Sequence, residues 1–229
     1  AVEPPAARRK VLAGVTGLVV VGLTGLLLGI SAFASNSGGG SDQPDGAKAP
    51  PGVTTPSETA STPPAGQPKK IALTAEQVRV IDPDSKKRDE LDGVGAVVDG
   101  DLNQGWFTDS YENSPKFGNM KSGMGILIDL KEARHLSSVQ VVFSAPGASA
   151  ELRTGTADAP SNSVGDQEIA TTYTRVGEQY ERYDGSTMAF SHFDPDQQYR
   201  YLLVWITELP QSAPGKYKIG VQEIIVEGH

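Results

Sequence analysis

The 229-residue chain has no cysteine, which excludes disulfides, zinc–thiolate sites, iron–sulfur clusters and a cysteine nucleophile. Histidine is scarce: His135, His192 and His229 are scattered, and the last is terminal. No Gly-x-Ser-x-Gly elbow, phosphate-binding loop or His-Glu-x-x-His helix is present. Positive charge is short as well. From Ile71 onward fourteen Lys and Arg face twenty-four Asp and Glu, a net of −10, which disfavours nucleic acid and other polyanions as partners. The densest charge run, "KKRDELD" at Lys86–Asp92, cancels internally and reads as a solvated loop.

Long apolar runs are missing after residue 33, but one precedes it. No residue from Val11 to Phe33 is charged, and 23 residues at ~1.5 Å each span ~34 Å, enough for a ~30 Å hydrocarbon core. Arg8, Arg9 and Lys10 stand directly before it, and no basic residue follows until Lys48. The positive-inside rule therefore puts residues 1–10 in the cytoplasm, a transmembrane helix over 11–33, and the remainder outside the cell. A cleaved export signal is the alternative, since Ala32-Phe33-Ala34 is an A-x-A site and "RRKVL" loosely resembles a twin-arginine signal. Residues 34–70 carry no aromatic side chain and only Val53 as a large aliphatic after Ser35, so they read as a disordered linker. As a flexible coil its ends would lie roughly 30–36 Å apart.

Residues 71–229 hold apolar residues in short bursts of period two. "GILIDL" puts Ile126, Ile128 and Leu130 on one face, and "SSVQVVF" does the same with Val139, Val141 and Phe143. "ELRTG", "EIATTYTRV", "YRYLLVWITEL" and "YKIGVQEIIVEG" follow as further strands, separated by turn clusters such as "ADAPSNSVGD". "TAEQVRV" makes at most one helical turn, and no other helix is expected. The fold class is all-β, an antiparallel two-sheet jelly-roll sandwich.

The ordered anchors "VRVIDP", "AVVDGDLNQGWFTDSY", "GMGILIDLKEARHLSSVQVVF", "RYLLVWITEL" and "GVQEIIVEG" resemble the discoidin (coagulation factor 5/8 type C), galactose-binding-like family. The whole layout is similar to the C-terminal part of actinobacterial MviN-type (peptidoglycan flippase, kinase-like) membrane proteins, which would make the chain a piece of a longer polypeptide. The resemblance implies a tryptophan packed in the sandwich and a structural calcium at the Asp-Gly-Asp turn. Asp99, Asp101 and Glu223 match those ligand positions, whereas Gln104 stands where the family has threonine. Glu223 sits in "VQEIIV" on the face of Val221 and Ile225, where a buried carboxylate needs a cation or donors. The other reading is that both aspartates bond loop amides.

Trp106 and Trp205 are expected in the core. Tyr111, Phe117, Asn119 and Met120 lie in the turn-rich "YENSPKFGNMKSGMG" and are candidate ligand contacts; Tyr183 and His192, with Tyr180 and Phe193, form a second set. Local packing is the alternative for both sets. Asp99 with Asp101 or Asp109 makes a poor glycosidase pair, because a tight turn leaves no sugar-sized cleft. The expected function is non-catalytic: a membrane-anchored extracytoplasmic module recognising a cell-wall glycan, or alternatively a protein of an envelope assembly.

Overall fold

The structure, a computed structural model, describes residues 66–83, 88–156 and 158–229. Residues 1–65 lie outside that range, and so do the anchor expected at 11–33 and nearly all of the linker. Among the described residues no helix is long and apolar enough to cross a membrane.

Thirteen strands and one α-helix are described: β1 (Lys69–Lys70), β2 (Val78–Ile81), β3 (Trp106–Phe107), β4 (Tyr111–Glu112), β5 (Met124–Arg134), β6 (Leu136–Phe143), β7 (Ser149–Gly155), α1 (Ser163–Thr172), β8 (Thr174–Tyr180), β9 (Thr187–Phe190), β10 (Tyr199–Glu208), β11 (Gln211–Ala213), β12 (Lys216–Tyr217) and β13 (Gly220–Gly228). One sheet runs β1-β13-β6-β9 with β3 added to β13; the second runs β2-β5-β10-β7-β8; β11, β12 and β4 form a small ribbon. Every recorded pairing is antiparallel, which the short alternating bursts require.

The faces expected from period two are the ones buried. Ile126, Ile128 and Leu130 of β5 meet Val139, Val141 and Phe143 of β6 in the core between the sheets. Trp106 is in this core, and its indole N–H donates to the Glu90 carbonyl. β10 is apolar on both faces because the second sheet has a further cover. Leu203 and Trp205 pack with Ile81, Leu127, Ile169 and Tyr173 in a separate cluster on the outer side.

That cover is α1, where strand had been expected through "EIATTYTRV". Asn162 caps the helix, its side-chain oxygen accepting the Gly165 N–H at 2.9 Å, and β8 begins only at Thr174. The two-sheet β-sandwich expected from the sequence is present, and α1 is an addition to it that the strand pattern did not foresee. A second departure lies in β13. A bulge between Val221 and Glu223 resets the alternation, so Val221, Ile224 and Val226 face the core while Ile225 is only half-buried.

The strands also define two ends. Lys69 and Lys70 pair with Gly228 and Glu227, and the His229 N–H donates to the His135 carbonyl, so the chain enters and leaves at the same end. Lys121, the Thr108–Tyr111 turn and the start of β13 lie at the other end.

Candidate functional site

The "DGDLNQGW" turn explains its own composition. Gly100 has φ +83, the left-handed region that glycine occupies without penalty, which is why a glycine separates the two aspartates. Gly105 has φ +148, and a Cβ there would run into the Val221 carbonyl. Asp99 Oδ1 accepts the Asp101 N–H at 2.8 Å. Asp101 Oδ1 accepts the Asn103 N–H at 2.9 Å and Oδ2 accepts the Gln104 side-chain amide at 3.0 Å. The Gln104 and Asn103 amides hold the Asp101 carboxyl below its usual range.

Glu223 is 3% exposed. Its Oε2 accepts the Gly100 N–H at 3.0 Å, and the Lys70 ammonium lies 3.8 Å from Oε1. The turn and Glu223 thus meet as the calcium reading requires, but N–H donors and an ammonium take the carboxylates. Among the described residues no group of three or more His, Asp or Glu side chains could hold a metal ion. As arranged, the Gly100 and Asp101 amides, the Lys70 ammonium and the Gln104 side-chain amide N–H occupy the carboxylates of Asp99, Asp101 and Glu223.

The aromatic candidates sort differently. Phe117 is fully buried and offers no face to a ligand; Tyr111 is 6% exposed, its ring meeting that of Phe117 edge-on at 5.2 Å, so it packs in the core and reaches the surface only at its rim. Burial, aided by the Glu90 carboxylate, pushes the Tyr111 phenol far above its usual value. Asn119 is exposed with φ +60, and its Oδ1 accepts the Ser114 hydroxyl at 2.8 Å. Met120 is 66% exposed. Tyr183 is half-buried in the turn between β8 and β9, its ring 4.8 Å from that of Tyr180. His192 lies past the other end of β9, exposed, its Nδ1 2.6 Å from Glu178 Oε1. Tyr183 and His192 do not form one site.

What does come together is a groove of about 330 Å³ at the end of the sandwich away from β1. It is lined by Asp89, Glu90, Asp109, Ser110, Tyr111, Met120 and Lys121. Its walls are braced from within. Asp82, fully buried, holds the Lys121 ammonium at 3.1 Å and accepts the Asp89 N–H at 3.0 Å. Glu90 takes φ +60, and its Oε1 accepts both the Asp109 N–H at 2.8 Å and the Tyr111 hydroxyl at 2.9 Å. Burial raises the Glu90 carboxyl against those bonds and against Lys121. A raised carboxyl also suits a general acid. Here Glu90 Oε1 is engaged with the Asp109 N–H and the Tyr111 hydroxyl, and Oε2 is buried.

Of the groove residues, the sequence offered Tyr111 and Met120 as ligand contacts and Asp109 only as a poor glycosidase carboxylate, and left the rest unmarked. Asp89 and Glu90 sit in the charge run read as a plain solvated loop, and nothing local reveals that Glu90 folds back beneath Tyr111. Asp109 and Ser110 lay in plain view in "WFTDSY", where a turn after a buried tryptophan was the only signal.

No protein-family model matches the chain. Among solved structures, one similar to it is a family 32 carbohydrate-binding module of Clostridium perfringens NanJ in complex with galactose. That match has 13% identity and a TM-score of 0.42, and covers 70% of this chain and 98% of that one. Another is chitosan-binding module 1 of a chitosanase/glucanase from Paenibacillus sp. IK-5, at 15% identity and TM-score 0.44, covering 70% and 99%. No residue role is carried over from either.

Proposed function

We propose that residues 66–229 form a non-catalytic recognition module that binds a glycan in the groove between Asp89, Asp109 and Met120. The carrying observation is the groove's mixed chemistry on a rigid base. Exposed carboxylates and a serine hydroxyl accept and donate hydrogen bonds, while the Met120 thioether offers an apolar surface to the C–H face of a sugar ring. Lys121, Tyr111 and Glu90 are held by buried partners, so little ordering is left for the ligand to induce. Within the wider proposal the anchor at 11–33 and the linker at 34–70 present this module outside the cell, and the glycan is peptidoglycan-related. The chain enters at β1, the end away from the groove, so a tether there leaves the groove open to its target.

Co-sedimentation of the full chain, in detergent, with purified cell-wall sacculi tests the reading. The wild type is expected in the pellet, and a double variant Asp109→Asn, Met120→Ala, altered only at exposed positions, in the supernatant. Wild type left in the supernatant would contradict the wall glycan and favour an envelope protein with a basic surface, to which the net charge of −10 on residues 71–229 is complementary.

A further inference from the structure

A second groove, of about 520 Å³, lies at the opposite end, where the chain enters. Thr154 and Thr156 line it from the end of β7, Gln197, Arg200 and Tyr201 from the start of β10, and Asp158 from the segment that follows β7. Its volume falls within the ~300–1,000 Å³ of small-molecule sites. It shares no residue with the groove at Asp109. Lys121 of the first precedes β5 and Ala133 of the second lies near its far end, so the length of that strand separates the two grooves.

The polar groups of this groove are fixed by partners behind them. Tyr199 and Tyr201 are buried and form a rigid wall. The Arg200 guanidinium is clamped to Asp129, Nε to Oδ1 at 3.0 Å and Nη2 to Oδ2 at 3.3 Å, and lies 4.7 Å over the Tyr201 ring. Burial, with the Asp129 and Asp158 carboxylates nearby, pushes the Tyr201 phenol up. The Thr154 hydroxyl donates to the Tyr201 carbonyl at 2.8 Å, which keeps its oxygen available as an acceptor. The Gln198 side-chain amide is 3.2 Å from His135 Nε2.

Charge and hydrogen-bond type decide what fits. Asp129 pairs with both Arg200 and Lys131, and with Asp158 the two carboxylates offset the two cations, so phosphate, sulfate or a uronate finds no surplus cation. An apolar ligand would strand the amides, the carboxylate and the guanidinium without partners. Donors and acceptors alternate: guanidinium and amide N–H groups beside carboxylate, amide and hydroxyl oxygens. That pattern suits a ligand carrying adjacent groups that both donate and accept. We propose that this groove is a second binding site, taking an uncharged sugar unit through its vicinal hydroxyls. The proposal stands apart from the glycan reading of the first groove, and if both hold the module is two-sided.

The test is an amide-shift titration of the ¹⁵N-labelled full chain in detergent. The probes are neutral trisaccharides built on galactose, glucose and N-acetylglucosamine, with galacturonate as the anionic comparator. At least one neutral probe is expected to shift residues 154–156, 158 and 197–201. Arg200→Ala, and separately Gln197→Ala, should weaken that event at least about tenfold, as for loss of a hydrogen bond to a charged or well-placed donor. Both positions are exposed, so the melting midpoint should hold. Asp109→Asn with Met120→Ala should leave it unchanged. The proposal is overturned if no neutral probe shifts those residues, if galacturonate binds more tightly than every neutral probe, or if both variants bind like wild type. Shifts confined to 89–91, 109–111 and 120–121 would overturn this site while sparing the first.

Discussion

Single residues carry most of what distinguishes this domain. Glu223 is closed to solvent and meets the Gly100 amide and the Lys70 ammonium, so the thermal midpoint is expected to be the same with and without a chelator. Glu223→Ala, which strands the Gly100 N–H, should cost about 1–3 kcal/mol in a urea melt. A midpoint that falls on chelation would restore a cation at the turn. Glu178 gives a pH signature. Burial works against its ionisation, but the Ser191 amide and hydroxyl and His192 prevail and lower its carboxyl from 4.5 to about 2. A carboxyl depressed in the folded state adds stability above its unfolded value, and that stability is lost as pH falls from about 4.5 toward 2. Glu178→Gln should therefore flatten the midpoint-versus-pH curve in that window, and an unchanged slope would refute the assignment. Phe117 teaches the opposite lesson: Phe117→Ala should cost about 3–5 kcal/mol as a core truncation, so any binding loss in it reports unfolding. Trp106 and the aspartate turn were legible in the sequence because a large ring after a glycine turn has few other uses, and Trp205 because it falls within an unbroken apolar strand. The burial of Tyr111 and Phe117 was not, since a turn-rich segment gives no periodicity from which an inward ring can be read.

At the scale of elements, α1 is the part the sequence concealed. Ile169 is its single fully buried hydrophobic residue, so no apolar stripe marks it, and its Thr172–Tyr173–Thr174 end reads as strand. What holds it is polar. Asp166, closed to solvent, accepts Arg79 Nη1 at 2.8 Å, Arg88 Nε at 2.7 Å and the Asp82 N–H at 2.9 Å. Such long-range pairing leaves no local trace. Removing one member of a buried ion pair strands the others, so Asp166→Ala should cost about 3–5 kcal/mol, against about 1 kcal/mol for loss of the Asn162 cap. Urea melts of the two variants check the order; equal costs would mean that the helix rests on its cap. Strands β5, β6 and β10 were readable because sheets impose alternation or, under two covers, an unbroken apolar run. The β13 bulge was not, since one inserted residue shifts the phase without changing the composition.

For the whole molecule, the two ends of the sandwich are the organising feature. Both termini of the described domain meet at one end, and the braced groove of Asp89, Asp109 and Met120 opens at the other. The pairing of β1 with β13 keeps Lys69 and Lys70 at the end away from that groove. Neither groove was visible in the sequence, because each assembles residues from several strands' ends. The most direct measurement is an amide-shift titration of the full chain with soluble glycan fragments released from cell wall by digestion. The account predicts saturable shifts at residues 89–91, 109–111 and 120–121 that disappear in the Asp109→Asn, Met120→Ala variant. Fragments that leave those amides unmoved at every concentration, or that bind the variant as well as the wild type, would contradict it.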